Sequence, residues 1–206
     1  MGARNIKARI YDTALLPLTA QWYQAVLVRL PKGAKLLDVG IGTAGALCKN
    51  AELVKGNNLH VLGIDIDEAY VQRATRQVEK HGLSDRVEVR HQSVYDCTDQ
   101  PFDAVYFSAS FMLLPDPEAA LKQVMKQLGP NGKVFFTQTF QERRSPLLEK
   151  AKPLLKKITT IDFGAVTYED DFRARVESAG LVIEEMVELG KHGSRSYRMV
   201  KGYPAE

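Results

Sequence analysis

The sequence predicts an α/β fold: a three-layer sandwich with a seven-stranded, mostly parallel sheet that ends in an antiparallel C-terminal hairpin strand. Three observations carry this prediction. Short apolar runs alternate with amphipathic helical segments along the chain. A glycine turn, Gly40-Ile41-Gly42, directly follows the first apolar run, and the last two runs are joined by Gly190-Lys191-His192-Gly193, a length that suits a hairpin. Parallel strands need helical crossovers, so the alternation implies helices on both faces of the sheet.

In chain order, Trp22, Tyr23, Val26, Leu27 and Leu30 recur at helical spacing before Pro31-Lys32-Gly33 ends that helix. Lys35 to Val39 reads as the first strand, and a helix carrying Ala46, Leu47, Leu53 and Val54 leads to a second at Leu59 to Asp65. Asp67 is placed to cap a helix whose Tyr70, Val71, Ala74 and Val78 share a face and which stops at His81-Gly82. Strands follow at Arg86 to Arg90 and Phe102 to Ser108. A helix from Pro117 to Leu128 starts on a proline and ends at Gly129-Pro130. Lys133 to Phe140 is the fifth strand. Helices are expected at about Ser145 to Lys157 and at Tyr168 to Ala179, then strands at Leu181 to Leu189 and Ser194 to Gly202.

Composition bounds the function. The chain has 206 residues, 45% of them hydrophobic, enough for one domain that buries about 70% of its unfolded surface. We read residues 1–206 as a single domain with an N-terminal arm (1–33), a cofactor-binding half (34–140) and a substrate-side C-terminal part (141–206). The 28 basic and 25 acidic side chains nearly balance and are scattered, so neither nucleic acid nor an anionic membrane is an expected partner. Two cysteines, Cys48 and Cys97, form no metal-ligand pattern; no metal is expected, and a reducing cytoplasm is the expected location. No signal peptide or membrane span is expected. Oligomeric state is not legible.

In doubly wound sheets ligands sit at the carboxyl ends of strands, near the switch in strand order. There the missing side chains of Gly40 and Gly42 let backbone approach a ligand, and Asp65, at the end of the second strand, offers a carboxylate to paired ribose hydroxyls. Gly40, Gly42 and Gly45 spell G-x-G-x-x-G, which fits a dinucleotide as well as S-adenosylmethionine (AdoMet). Three features favour AdoMet: Asp38 inside the strand, more than 30 residues before that strand, and the Pro130-Asn131-Gly132 turn before the fifth strand.

LLDVGIGTAG, VLGIDID and FDAVYFSASFMLLPDPEAALKQVMKQLGPNGKV together resemble the motifs of class I AdoMet-dependent methyltransferases, in the small-molecule subgroup related to quinone-biosynthesis enzymes. The resemblance runs from Leu36 to about Gln138. It implies that Asp38, Gly40 and Gly42 surround the methionine part of AdoMet, that Asp65 holds the ribose, and that Ile66 packs on the adenine. Ser93 and the backbone of Val94 then face the adenine edge, with Ser108 at the end of the fourth strand also on the cofactor. The sequence departs from the family at Ala44, where a glycine is usual, and at Ser93, where an aspartate is frequent.

The implied activity is methyl transfer to a small, partly hydrophobic molecule, leaving S-adenosylhomocysteine. Tyr11 is the catalytic candidate, and Trp22, Phe111, Met112, Leu113 and Phe163 are the apolar side chains expected to face the acceptor. His91 is the histidine best placed to act as a base. A protein-modifying methyltransferase and a non-catalytic AdoMet-binding protein are the alternative readings.

Overall fold

A computed structural model describes residues 16–99, 101–142 and 167–205. Its centre is a seven-stranded sheet: β1 (Lys35–Val39), β2 (His60–Asp65), β3 (Val87–His91), β4 (Phe102–Ser108), β5 (Leu128–Gln141), β6 (Leu181–His192) and β7 (Arg195–Pro204). The order across the sheet is β3-β2-β1-β4-β5-β7-β6. The first five strands are parallel, and β7 runs antiparallel to both β5 and β6. Strand order therefore reverses between β1 and β4, and that switch point opens at their carboxyl ends.

Alternation along each strand divides the core in two. Leu36, Val61, Ala104, Tyr106, Phe135 and Met199 face helices α1 (Leu16–Leu27), α2 (Gly45–Cys48), α3 (Ala51–Gly56) and α4 (Glu68–Lys80). Leu37, Ile64, Val105, Phe107, Phe136 and Val200 face α5 (Pro117–Met125) and α6 (Glu169–Ser178). On this second face Phe107, Phe111, Phe136, Phe140 and Phe172 pack as a ring cluster with centroids 5.0 to 5.9 Å apart. The three-layer α/β sandwich read from the sequence is the fold observed.

Local chemistry explains most boundaries. The Asp67 carboxylate accepts from the Ala69 and Tyr70 backbone N–H groups at the start of α4, and Asp116 caps α5 through the Ala119 N–H with Pro117 at the first turn. Four expectations are corrected. The segment from Ala46 to Val54 is two helices because the Asn50 side-chain amide donates to the Ala46 and Ala20 carbonyls, breaking the ladder there. Helix α5 ends at Met125, and Leu128 already pairs with Phe102. Pro130-Asn131-Gly132 thus forms an irregularity within the start of β5, with Asn131 left-handed at φ 62°, before Lys133 resumes pairing with Ala104. The third strand lies one residue later than expected. The hairpin is tighter, with Gly193 and Ser194 alone between β6 and β7 and Gly193 at φ 59°. The lysine-rich helix expected near Ser145 to Lys157 lies outside the described residues.

Among the described residues no helix is long and apolar enough to cross a membrane.

Candidate functional site

At the switch point, the end of β1 is stitched to its neighbours before the turn begins. Gly40 and Ile41 both donate their backbone N–H to the Ile64 carbonyl of β2. Gly40, at φ 77°, passes directly under the loop after β4: a Cβ there would lie 2.8 Å from Ser110 Cβ. Ser110 in turn donates from Oγ to the Val39 carbonyl at 2.5 Å. Gly40 is thus required by the protein's own packing as well as by its backbone angle. Gly42, at φ 60°, is different, since a Cβ there would meet nothing within 4 Å and would point into open space.

The third glycine of the motif, Gly45, faces α1, where an added Cβ would come within 3.2 Å of the Leu16 side chain. Ala44 carries the left-handed conformation expected of a glycine, φ 57° and ψ 9°, and its methyl is buried in the α1-side core. The departure from the motif therefore costs about 1 kcal/mol of backbone strain, offset by burial of the methyl.

Two carboxylates flank the turn. Asp65 is half-buried; one oxygen accepts from the Gly42 N–H at 2.9 Å and the other from the Asp67 N–H at 2.9 Å. Each oxygen keeps a lone pair, so the pair can still accept from two adjacent hydroxyls. Asp38 is fully buried on the α1 face, beside Tyr106 of β4 in the sheet register. Its Oδ2 accepts from the Tyr23 hydroxyl at 2.7 Å, whereas Oδ1 is buried with no hydrogen-bond partner. Burial pushes this carboxyl up to about 7, the Tyr23 hydrogen bond opposes the rise, and the charge on Asp65 adds to it. A buried acceptor without a donor is costly, and it suits a ligand that brings a cation or N–H to it.

Tyr23→Phe should expose this dependence. Removing the hydroxyl leaves the carboxylate without its donor, so the loss of stability should be about 2 kcal/mol at pH 8 and about half that at pH 5, where Asp38 is protonated. Urea unfolding at the two pH values measures the difference, and an equal loss at both contradicts the assignment.

The remaining residues ring the site. Ile66, after β2, exposes 72% of its surface, unusual for an isoleucine at a strand end. Ser93 caps a short 3-10 helix by accepting from the Tyr95 N–H, and Val94 behind it is buried in the core. Ser108 ends β4 half-buried on the α1 face, opposite Thr137, whose Oγ1 lies 2.7 Å from the Tyr106 hydroxyl. The nearby Tyr106 hydroxyl is held strongly protonated by burial. Asp38, Gly40, Gly42, Asp65, Ile66 and Ser108 therefore sit at the carboxyl ends of β1, β2 and β4, with Ser93 and Val94 just beyond β3.

Two expectations near the acceptor change. Phe111 is 1% exposed inside the phenylalanine cluster, on the opposite face from α1, because three ring partners outweigh exposure of one aromatic after β4. His91 lies against the Ile66 carbonyl at 3.0 Å, on the β2–β3 side and away from β4 and β5. Tyr11 and Phe163 lie outside the described residues. What sequence reasoning missed is the Tyr23–Asp38 hydrogen bond, since nothing local signals a contact between residues 15 apart on different elements.

A family whose sequence model is described as "Methyltransferase domain" matches residues 30–192. The chain belongs to that methyltransferase family. Structures of similar fold include a SAM-dependent methyltransferase from Geobacter sulfurreducens in complex with S-adenosyl-L-homocysteine, with a TM-score of 0.67, 15% identity and 90% of both chains covered. Among curated relatives, the sterol 24-C-methyltransferase erg6 of Aspergillus fumigatus is 32% identical over 112 residues, which cover 53% of this chain and 29% of that protein. The 27-O-demethylrifamycin SV methyltransferase of Amycolatopsis mediterranei is 25% identical over 175 residues, 84% of this chain and 63% of that one. The methyltransferase thus spans less than two thirds of the length of either relative. In fold it is similar to the crystal structure of a SAM-dependent methyltransferase from Aquifex aeolicus, with a TM-score of 0.73, 23% identity and 98% of both chains covered.

Proposed function

We propose that this chain transfers the methyl group of AdoMet, by in-line displacement, to a small and partly hydrophobic acceptor. The observation that carries the proposal is the partnerless Oδ1 of Asp38, fully buried and one residue short of a glycine turn whose second glycine opens onto free space. When bound, AdoMet supplies an electrophilic methyl on a positively charged sulfur.

The chain's own part is to bind and orient. Asp38 Oδ1 offers a carboxylate oxygen to the cationic methionine portion, and Gly40 and Gly42 allow backbone to pass close to it. Asp65 holds the ribose hydroxyls on its free lone pairs, with its own position fixed by the Gly42 and Asp67 N–H groups. Ile66 offers an apolar surface to the adenine, and Ser93, the Val94 backbone and Ser108 complete the boundary. Tyr11, in the arm over residues 1–33, is assigned the orientation of the acceptor. Alignment at near-attack distance is the main task in such a displacement, worth up to about 7–11 kcal/mol of barrier when complete. A general base is needed only for an acceptor that must lose a proton.

The relatives named for sterols and a rifamycin support a small-molecule acceptor. Incubation with methyl-labelled AdoMet and a panel of phenols, amines, thiols and peptides tests the reading. Label on a non-peptide acceptor is expected; label on peptides alone supports a protein-modifying enzyme, and AdoMet binding without any transfer supports a binding protein.

A further inference from the structure

Besides Asp38 Oδ1, the described residues contain a second orphan on the α1 face: the indole Nε1 of Trp22 is buried and has no hydrogen-bond partner. Trp22 is itself only 4% exposed, so its N–H is cut off from bulk water. Such a donor costs about 1–3 kcal/mol unless something accepts from it. Its neighbour in sequence, Tyr23, serves Asp38. Trp22 reaches in another direction, its ring 5.8 Å from that of Tyr197 on β7.

The register of the sheet locates this contact relative to the cofactor site. Tyr197 pairs with Thr139 of β5, two residues beyond Thr137, which is the partner of the last residue of β4, Ser108. At about 3.4 Å per residue, Trp22 and Tyr197 stand roughly 7 Å past the end of β4, over the strands on the far side of β4 from Asp65. Thr139 and Tyr197 are both half-buried, and among the described residues no hydrogen bond to their side chains is found. Thr137, Thr139 and Tyr197 thus share the α1 face of β5 and β7, where the Tyr197 ring meets an indole whose N–H has no acceptor among the described residues.

We propose that Trp22 is a specificity-determining residue whose indole N–H donates a hydrogen bond to an uncharged oxygen of the methyl acceptor. The inference rests on the methyltransferase reading and narrows its substrate class to molecules that present a carbonyl, ether or hydroxyl oxygen beside an apolar body. The donor itself carries no charge, which favours an uncharged oxygen over a carboxylate or phosphate. The flat indole and the Tyr197 ring accept the apolar body.

Trp22 is the single tryptophan of the chain, so a proton–nitrogen correlation spectrum contains one indole N–H signal, and that signal reports this donor alone. The wild-type protein saturated with S-adenosylhomocysteine is titrated with benzyl alcohol, acetophenone and, as the oxygen-free match, toluene. The indole signal is expected to move downfield with benzyl alcohol or acetophenone and not with toluene. In Trp22→Phe, which keeps a ring in the same space, the oxygenated probe that binds should weaken about tenfold while toluene binding changes less than twofold. One hydrogen bond to an uncharged acceptor is worth about that factor.

An indole signal unmoved by both oxygenated probes, or a Trp22→Phe loss equal for toluene and its oxygenated match, overturns the proposal. S-adenosylhomocysteine titrated calorimetrically into the same wild-type sample keeps the two readings apart. Absence of that binding refutes the methyltransferase reading itself, whereas binding with an unresponsive indole refutes the role of Trp22 alone.

Discussion

Asp38→Asn should make the ligand-free protein more stable at pH 8 and at the same time remove most of its affinity for AdoMet. The carboxyl is fully buried and its pKa is raised from 3.8 to about 7. Between those values the native state holds a proton that the unfolded chain has released, so stability falls as pH rises through this window and reaches its floor above pH 7. The penalty at pH 8 is about 4 kcal/mol, from a displacement of about three pH units at 1.36 kcal/mol each. Asparagine keeps an oxygen for the Tyr23 hydroxyl and removes the charge, so a large part of the penalty should be regained and the melting temperature should rise by several degrees.

In the proposed function the same charge is what the cationic ligand uses. AdoMet affinity in the wild type should therefore increase with pH up to about 7 and level off above it, with proton release on binding. The groups that set this titration all face Asp38: Tyr23 from α1, Tyr106 from β4 and Asp65 from β2. Melting curves at pH 5 and 8, with and without AdoMet, measure both halves. Loss of stability in Asp38→Asn at pH 8 would show that the carboxylate is a structural anchor, contrary to this account.

The second large effect separates two glycines that look alike in the motif. Gly40→Ala should destabilise by about 2–4 kcal/mol, because an alanine at φ 77° is strained and its methyl meets Ser110 Cβ at 2.8 Å. Gly42→Ala carries the backbone strain alone, about 1–2 kcal/mol, since its methyl points into free space. In the proposed function that free space takes the ligand, so Gly42→Ala should fold and bind AdoMet at least tenfold more weakly. Chemical denaturation and calorimetry on both variants decide the matter. Equal destabilisation of the two, or full AdoMet affinity in Gly42→Ala, contradicts the division of labour between them.

These two glycines also show how far the sequence was legible. Lys35 to Val39, the turn after it and the Asp67 cap are local signals: an apolar run, residues without side chains, and a carboxylate two and three residues before the amides it accepts from. Those three signals survived folding intact. Features set by distant partners did not announce themselves. Asn50 splits a helix because Ala20, thirty residues earlier, offers it a carbonyl. Phe111 turns into the core because Phe107, Phe136 and Phe172 surround it. Ala44 adopts a glycine's conformation because burial of its methyl offsets the strain, a trade that the residue type alone would argue against. The protonation balance of Asp38 belongs to the same class, since it depends on a tyrosine from α1 and a carboxylate from β2.

The central claim is that one pocket at the ends of β1, β2 and β4, built on Asp38, Gly42 and Asp65, holds AdoMet. Calorimetric titration of AdoMet into the wild-type protein at pH 8, repeated with Asp65→Ala, tests it most directly. The account predicts saturable binding at one site per chain and a loss of at least tenfold on removing the Asp65 carboxylate. Absence of heat with AdoMet and with S-adenosylhomocysteine, or unchanged affinity in Asp65→Ala, would contradict it.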